Sequence, residues 1–316
     1  MASPSAARKP RRKEAPRKPA RRRSSASAVK GSGKSARHAD AGPATRLMLK
    51  DYTSIPVEAD SLRPDKITGL SRDQILALPL YHGNKTVTVG DFFEVQETGG
   101  DTLVIEGDLS KFKKLGQEME GGRLVVRGNA GMHLGAYLRG GTIEVFGDTA
   151  DWAGAEMKGG LIHIHGNTGH RAGAVYRGSE VGMHGGVILV DGNAGLEIGS
   201  FMRRGLIAVG GNAGDFAGAH MIAGSILVMG EMGVRAGASM RRGTLVTLKP
   251  FEPLPTFRDS GAYRFPFLRL FTDRLHSRGF RVPADVEQSL FRRFVGDMNE
   301  IGLGEILILE GRDHDG

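Results

Sequence analysis

The stretch GSFMRRGLIAVGGNAGDFAGAHMIAGSILVMG, residues 199–230, contains one phrase twice, Gly-x-x-Met-x-x-Gly-x-Ile-x-Val-x-Gly. The phrase recurs between Gly116 and Leu248, always with a large apolar residue in its fourth position. We call these residues the Met column: Met119, Leu138, Met157, Met183, Met202, Met221 and Met240. The step is 19 residues except for one of 26 between Met157 and Met183, so seven residues are inserted once, within residues 174–182.

Each repeat contains one alternating apolar run, such as Ile207-x-Val209, which predicts one short strand per unit. A step near 20 residues with a single strand is typical of a β-solenoid, in which successive strands stack in parallel. Two helices do not fit a 19-residue unit that contains four or five glycines, so an α-solenoid is excluded. The sequence therefore predicts an all-β core, a parallel β-helix of seven coils of about 19 residues.

Glycine and Asn follow each strand and predict corners, because both residues adopt positive φ at low cost. The recurring Asn residues are interpreted as a ladder of hydrogen bonds to turn backbone rather than as ligands, and they are Asn129, Asn167, Asn193 and Asn212. The Met column is interpreted as core filling, since the flexible Met side chain suits irregular gaps. These columns are therefore assigned to folding and not to function.

Composition limits the possible chemistry. The 316 residues include no Cys, which excludes disulfides, thiolate nucleophiles and Cys-based metal sites. No apolar run is long enough to span a membrane and no signal peptide is recognisable, so we expect a cytoplasmic protein without a membrane partner. The net charge of +8 divides into +12 for residues 1–46 and −4 for the remainder.

Four segments are predicted. Residues 1–46 form a disordered basic tail, a solvated extension whose contact with nucleic acid is at most nonspecific. Residues 47–100 form a lead-in with a helix over 71–80 and a capping strand, and residues 101–249 form the repeats. Residues 250–316 supply a connector and a C-terminal helical cap, with helices over 265–279 and 283–294 that would cover the open end of the stack.

The repeats, the lead-in Val89-Gly90-Asp91-Phe92-Phe93-Glu94-Val95, the insertion before Met183 and the ending Gly302-Leu303-Gly304-Glu305-Ile306-Leu307 together resemble the C subunits of the formylmethanofuran dehydrogenase family. The likeness covers about residues 50–310 and extends to the counterpart in the bacterial formyltransferase/hydrolase complex. It implies a right-handed winding, other subunits as partners, and a methanofuran-type carrier and tetrahydromethanopterin as the substrates of the complex. The glycine-rich repeats are also similar to the C-terminal domain of large glutamate synthase subunits.

No nucleophile–base pair or phosphate loop is recognisable, so no catalytic residue is assigned. His163 and His165 point outward from one strand and, with His170 nearby, could in principle bind a metal. They are interpreted instead as exposed surface or interface residues without a neighbouring carboxylate, and no metal is assigned. No directly bound cofactor is expected. We predict instead that a basic column beside the Met column contacts an anionic carrier or a partner subunit; it consists of Arg139, Lys158, Arg203, Arg204, Arg241 and Arg242.

Three functions remain open at this point. The first is a noncatalytic scaffold subunit in a formyl-transfer complex that oxidises formaldehyde to formate in methylotrophy. The C subunit of a formylmethanofuran dehydrogenase is the second, and a glutamate-synthase-like domain that serves an amidotransferase is the third.

Overall fold

The computed structural model of the chain describes residues 42–283 and 285–311. Most of the predicted basic tail, along with Ala284 and residues 312–316, lies outside the described residues. The first strand, β1 (Ala44–Leu49), begins three residues inside the segment assigned to the tail, because it pairs in parallel with the strand Thr102–Glu106. Within the described ranges, no helix has the length and apolar character needed to cross a membrane.

The lead-in is a mixture of short strands and helical turns. It continues with β2 (Val57–Glu58), α1 (Pro64–Ile67), α2 (Arg72–Leu76), β3 (Pro79–His82), β4 (Lys85–Thr88), α3 (Val89–Phe92), β5 (Phe93–Glu97), β6 (Thr102–Glu106) and β7 (Phe112–Lys113). The helix predicted over 71–80 is shorter. It begins after Ser71, whose hydroxyl accepts a hydrogen bond from the Gln74 N–H, and it cannot continue to Pro79, where β3 starts.

Seven strands follow, one per repeat: β8 (Arg123–Arg127), β9 (Thr142–Val145), β10 (Leu161–Ile164), β11 (Val187–Val190), β12 (Leu206–Val209), β13 (Ser225–Val228) and β14 (Arg242–Thr247). We call β6 and β8–β14 the repeat stack. Each strand pairs in parallel and in register with the next, so that Ile207 lies opposite Ile188 on one side and Ile226 on the other. The stack forms the centre of a 13-stranded sheet, which confirms the predicted all-β core.

The inside of the stack is apolar. Every member of the Met column is fully buried, as are inward strand residues such as Ile162 and Ile207. A second ladder of parallel bridges joins the corners of successive repeats, for example Thr149 to Thr168. The interpretation of the Met column as core filling is confirmed.

The Asn ladder is confirmed in atomic detail. The Asn193 N–H donates to Asn167 Oδ1 and the Asn212 N–H donates to Asn193 Oδ1, both at 2.8 Å. The reason proposed for the corner glycines is wrong for most of them, because Gly192 and Gly211 are not in the left-handed region. They are required for space: a Cβ on Gly192 would lie 2.6 Å from Asn167 Oδ1 of the preceding repeat.

The predicted helical cap is largely wrong. The segment after the repeats contains β15 (Arg258–Tyr263), one helix α4 (Leu268–His276), a 3₁₀ turn (Val286–Gln288), β16 (Leu290–Gly296) and β17 (Leu303–Gly311). β17 pairs in parallel with β14, and β16 and β15 extend the sheet antiparallel. The second predicted helix, 283–294, is instead a 3₁₀ turn followed by the start of β16, because the main chain from Leu290 pairs with β17 on one side and β15 on the other.

The helix α4 does not cover the open end of the stack. Leu268 and Leu275 of α4 pack with Phe280 on the outward face of the sheet, against residues such as Leu189 and Leu227. This face of β11–β14 is apolar and is buried by the C-terminal segment. The C-terminal segment thus buries one side face of the stack, while its strands extend the end.

Candidate functional site

The basic column is a physical stack. The first cation of each repeat donates its backbone N–H to the carbonyl of the Met-column residue one repeat earlier. The pairs are Arg139 to Met119, Lys158 to Leu138, Arg203 to Met183 and Arg241 to Met221, at 2.8–2.9 Å. Their side chains are exposed at the surface. The structure therefore brings the predicted cations into one line, in which His184 and Ile222 occupy the two intervening positions that are neither Lys nor Arg.

The charges of the column are unevenly compensated. Arg139 pairs with Glu120 at 3.1 Å, and Arg241 pairs with Glu300 of the C-terminal segment at 3.4 Å. Among residues 42–283 and 285–311, no carboxylate pairs with Lys158, Arg203, Arg204 or Arg242. The cations available to an anionic partner are thus those in the middle of the column together with Arg242 at its end.

The inserted segment, residues 174–182, is anchored by aromatic contacts. The Tyr176 ring stacks on Trp152 with a centroid distance of 4.9 Å, and its hydroxyl lies 2.7 Å from His133 Nδ1. The Tyr176 N–H donates to Glu156 Oε1 at 3.0 Å, while the Arg171 guanidinium lies over Trp152 at 5.0 Å. Because it is held at several points, the insertion is a defined structural element rather than a free loop.

Two cavities adjoin the insertion and share Ser179 and Phe201; we call them together the insertion groove. One cavity, of about 390 Å³, reaches from Ser179 to Arg241 and Glu300. The other, of about 260 Å³, lies between the insertion and Trp152. The insertion and the end of the basic column, which are separate in sequence, therefore meet at one surface.

Burial and charge tune two groups at this surface. Burial raises the pKa of the Tyr176 hydroxyl, so this group stays protonated beside His133. The same desolvation, followed by the charges of Lys113 and Lys114, lowers the pKa of His133. The second cavity is thus lined by neutral aromatic groups next to the ion pair of Arg171 with Glu197, an arrangement suited to binding rather than to proton transfer.

The comparisons place this architecture in a family. The family model of the GXGXG motif matches residues 109–252. The chain is 33% identical to a chain in the crystal structure of the formyltransferase/hydrolase complex FhcABCD from Methylorubrum extorquens with methylofuran. The match has a TM-score of 0.79 and covers 84% of this chain and 100% of that one. The chain belongs to the family of formylmethanofuran dehydrogenase C subunits.

The chain also matches the C subunits of two formylmethanofuran dehydrogenases over a shorter segment. The chain is 42% identical over 95 residues to the C subunit of the tungsten-containing formylmethanofuran dehydrogenase 2 of Methanothermobacter wolfeii. The aligned segment is 28% of this chain and 35% of that protein. It is 42% identical over 91 residues to the C subunit of the molybdenum-containing formylmethanofuran dehydrogenase 1 of Methanothermobacter thermautotrophicus, 28% of this chain and 23% of that protein. The alignments thus span about a third or less of these curated relatives.

The interpretation of the strand histidines as exposed and without a carboxylate is wrong for this family member. His163 is only 7% exposed, and its Nε2 lies 3.0 Å from Asp191 Oδ1. His165 lies between two carboxylates, with Nδ1 2.7 Å from Asp191 Oδ2 and Nε2 3.1 Å from Glu144 Oε1. His170 is not part of this group, since its Nδ1 accepts the Leu196 N–H.

The electrostatics of this group follow from those contacts. The hydrogen bonds to Asp191 and then to Glu144 raise the pKa of His165 to about 9. The hydrogen bond from His165 is the largest cause of a shift that lowers the pKa of Glu144 to about 2. Burial opposes this shift, and the hydrogen bond from Arg123 adds to it. Burial alone would raise the pKa of Asp191, but the two histidines lower it. At neutral pH the His165 cation therefore lies between the carboxylates of Asp191 and Glu144.

Several residues of the histidine group and of the insertion groove were not predicted from the sequence, although the repeat length indicates which residues share a column. Glu144 precedes His163 by 19 residues and Trp152 precedes Arg171 by 19, so each pair occupies one column. Asp191 follows His165 by 26 residues, which is one step plus the insertion. Tyr176 lies within the insertion and has no place in the repeat, so its contact with Trp152 had no signal in the spacing.

Proposed function

We propose that the chain is a noncatalytic scaffold subunit of a hetero-oligomeric formyl-transfer complex that acts on a methanofuran-type carrier and tetrahydromethanopterin. The observation that carries the proposal is the alignment with the whole length of a chain from a formyltransferase/hydrolase complex. That complex was crystallised with methylofuran, so a carrier of this class is the natural substrate to test. Formaldehyde oxidation to formate in methylotrophy is the corresponding pathway.

We infer that the repeat stack winds as a right-handed parallel β-helix of seven coils, as the family resemblance implies. The parallel in-register pairing of β6 and β8–β14 supports a parallel β-helix, and the right hand of the winding rests on the resemblance. Such a rod offers partner subunits a rigid surface, because every repeat is bonded to its neighbours through main-chain ladders. Rigidity of this kind suits a scaffold.

We assign the basic column and the insertion groove to binding of a partner subunit or of the anionic part of a carrier. Arg139 and Lys158, in adjacent repeats about 4.8 Å apart, repel one another by about 0.9 kcal/mol in water. The intervening positions His184 and Ile222 halve this repulsion for the next two pairs of cations along the column. The exposed stack tolerates this cost. An extended polyanion laid along the column would convert the repulsion into attraction that weakens with salt.

A tagged full-length chain purified from its native extract tests the scaffold role. We expect catalytic subunits to copurify, with no formyl transfer by the isolated chain. Formyl transfer by the chain alone would contradict a scaffold role. Copurification of metal-containing redox subunits would favour the second candidate, a formylmethanofuran dehydrogenase, which the names of the curated relatives support.

The basic column is tested separately by replacing Arg203, Arg204, Arg241 and Arg242 with Ala. We expect weaker retention of the carrier or of partner subunits, with the loss largest at low salt because the attraction is electrostatic. The matched control removes four exposed cations elsewhere, Lys249, Arg269, Arg274 and Arg281. Equal retention in the two variants would exclude the column while leaving the scaffold role intact.

A further inference from the structure

The central outward column of the repeat stack contains two polar residues among apolar ones. In the column through Glu144 and His163, the other members are Val125, Leu189, Ala208, Leu227 and Val246. Glu144 and His163 therefore occupy positions where the neighbouring repeats have apolar side chains, and His165 and Asp191 lie beside them, directly after β10 and β11. Such a group on a half-buried sheet face calls for a physical explanation.

The donor atoms of this group converge. One nitrogen each of His163 and His165 and one carboxylate oxygen of Glu144 all lie within 4.8 Å of one another. Two His residues at positions i and i+2 of a strand point to the same side, and the parallel register places Glu144 directly beside His163. Two imidazoles and a carboxylate are a donor set that Zn²⁺ uses, with one position left for a further ligand.

The surrounding contacts orient these donors. Asp191 Oδ2 is hydrogen-bonded to His165 Nδ1, so the other ring nitrogen, Nε2, is the one that faces Glu144. A carboxylate on the far nitrogen is the usual partner of a metal-bound His, since it fixes the ring and increases its basicity. Glu144 is held in the same way: Arg123 Nη2 donates to its Oε2 at 2.6 Å, while Oε1 faces His165.

Packing restricts the site without closing it. Phe146 stacks on His165 with a centroid distance of 4.6 Å, and the edge of Phe280 approaches His163 at 6.3 Å. His163 is buried, whereas the Asp191 side chain is 38% exposed and gives access from solvent. The rings are therefore held in place on one side and reachable from the other.

We propose that Glu144, His163 and His165 form a site for a divalent transition-metal ion of the Zn²⁺ class, with Asp191 as the residue that positions both imidazoles. The mixed nitrogen and oxygen donors favour Zn²⁺, Co²⁺, Ni²⁺ or Cu²⁺ over Mg²⁺ and Ca²⁺, which prefer oxygen ligands. Binding displaces the proton that the His165 ring shares with Glu144 and releases it to solvent. The ion would tie strands β9 and β10 together immediately before the only long step in the repeat, which leads to β11.

Titration of the metal-free full-length chain with Co²⁺, followed by visible absorption, tests the site. We expect saturation at one tightly bound ion per chain, displacement by Zn²⁺ and no displacement by Mg²⁺. His163→Ala and His165→Ala should abolish this binding. Asp191→Asn should weaken it about 10- to 100-fold, because Asp191 acts through the histidines. His276→Gln, on the exposed end of α4, is the control that should bind as the wild type does.

Thermal unfolding in chelator and in Zn²⁺ separates binding from folding defects. Wild type and His276→Gln should be stabilised by Zn²⁺, and His165→Ala should show no shift on adding the ion. If an Ala variant does not fold, Glu144→Gln, which keeps the shape of the side chain, replaces it and should bind Co²⁺ more weakly than the wild type. Absence of Co²⁺ uptake by the wild type, or unchanged uptake by His165→Ala or by Glu144→Gln, would overturn the proposal.

Discussion

Truncation of Met202 to Ala should destabilise the repeat stack strongly. The side chain is fully buried, and its methyl group fills the space above Gly224 of the next repeat, 2.8 Å from where a Cβ would stand. Removing three heavy atoms costs about 2.4 kcal/mol in transfer free energy. The repeats cannot close over the hole, because the Ile222 N–H is bonded to the Met202 carbonyl at 2.8 Å. A cavity term of about 1 kcal/mol or more therefore adds to the transfer term, giving about 3–4 kcal/mol.

Urea unfolding followed by circular dichroism measures this loss as a lower midpoint at constant slope. Met202→Leu is the matched control, since Leu138 occupies the same column and is equally buried. We expect this substitution to cost less than about 1.5 kcal/mol. A loss below about 1 kcal/mol for Met202→Ala, or an equal loss for Met202→Leu, would refute the assignment of the column to core packing.

Three further predictions concern backbone, charge and the insertion. Gly205→Ala should cost about 2–5 kcal/mol of unfolding free energy, because φ is +113° and the Cβ would stand 2.9 Å from the Gly186 carbonyl oxygen and 2.7 Å from Met183 Cε. Gly178→Ala, at φ +93° with open space around it, should cost only about 1–2 kcal/mol in the same assay. Burial opposes ionisation of Asp297, but the N–H groups of Asn299 and Ser239 lower its pKa. Asp297→Asn should therefore cost about 1.5–3 kcal/mol at neutral pH. Because the folded pKa is lowered, this difference is fully present above the unfolded value of about 3.9 and is lost as the pH falls through the lower folded pKa; an undiminished difference at the acid end of this range would contradict the mechanism. Trp152→Leu should speed trypsin cleavage after Arg177 about 2- to 12-fold by removing a stacked contact of the insertion, and an unchanged rate would show that this contact does not hold it.

Inside the repeats, the sequence was a sufficient guide to neighbours. A residue 19 positions away lies one strand away in the same column, which is why the Met column, the Asn ladder and the basic column could be predicted before any coordinates. The same rule contained the contact of Glu144 with His163. The sequence neighbours of the two histidines include no carboxylate, so this contact is visible only when His163 is compared with the residue 19 positions earlier.

Outside the repeats, the sequence was a poor guide. The segment 283–294 has apolar residues at spacings compatible with a helix, and short segments of this kind are ambiguous by periodicity alone. Its last five residues begin β16 because β17 offers them a partner edge, a choice made by pairing between segments rather than by local preference. The helix α4 was expected on the end of the stack, but the apolar outward face of β11–β14 binds it instead.

The sequence by itself determined the repeat, its buried columns and the line of cations, because parallel in-register stacking converts a fixed interval in sequence into a fixed distance in space. Only the tertiary structure decided where the irregular segments go: the insertion against Trp152, Glu300 beside Arg241, and Phe280 beside His163. Those contacts join segments separated by no constant interval, so their free energy depends on surfaces that exist only once the stack has formed.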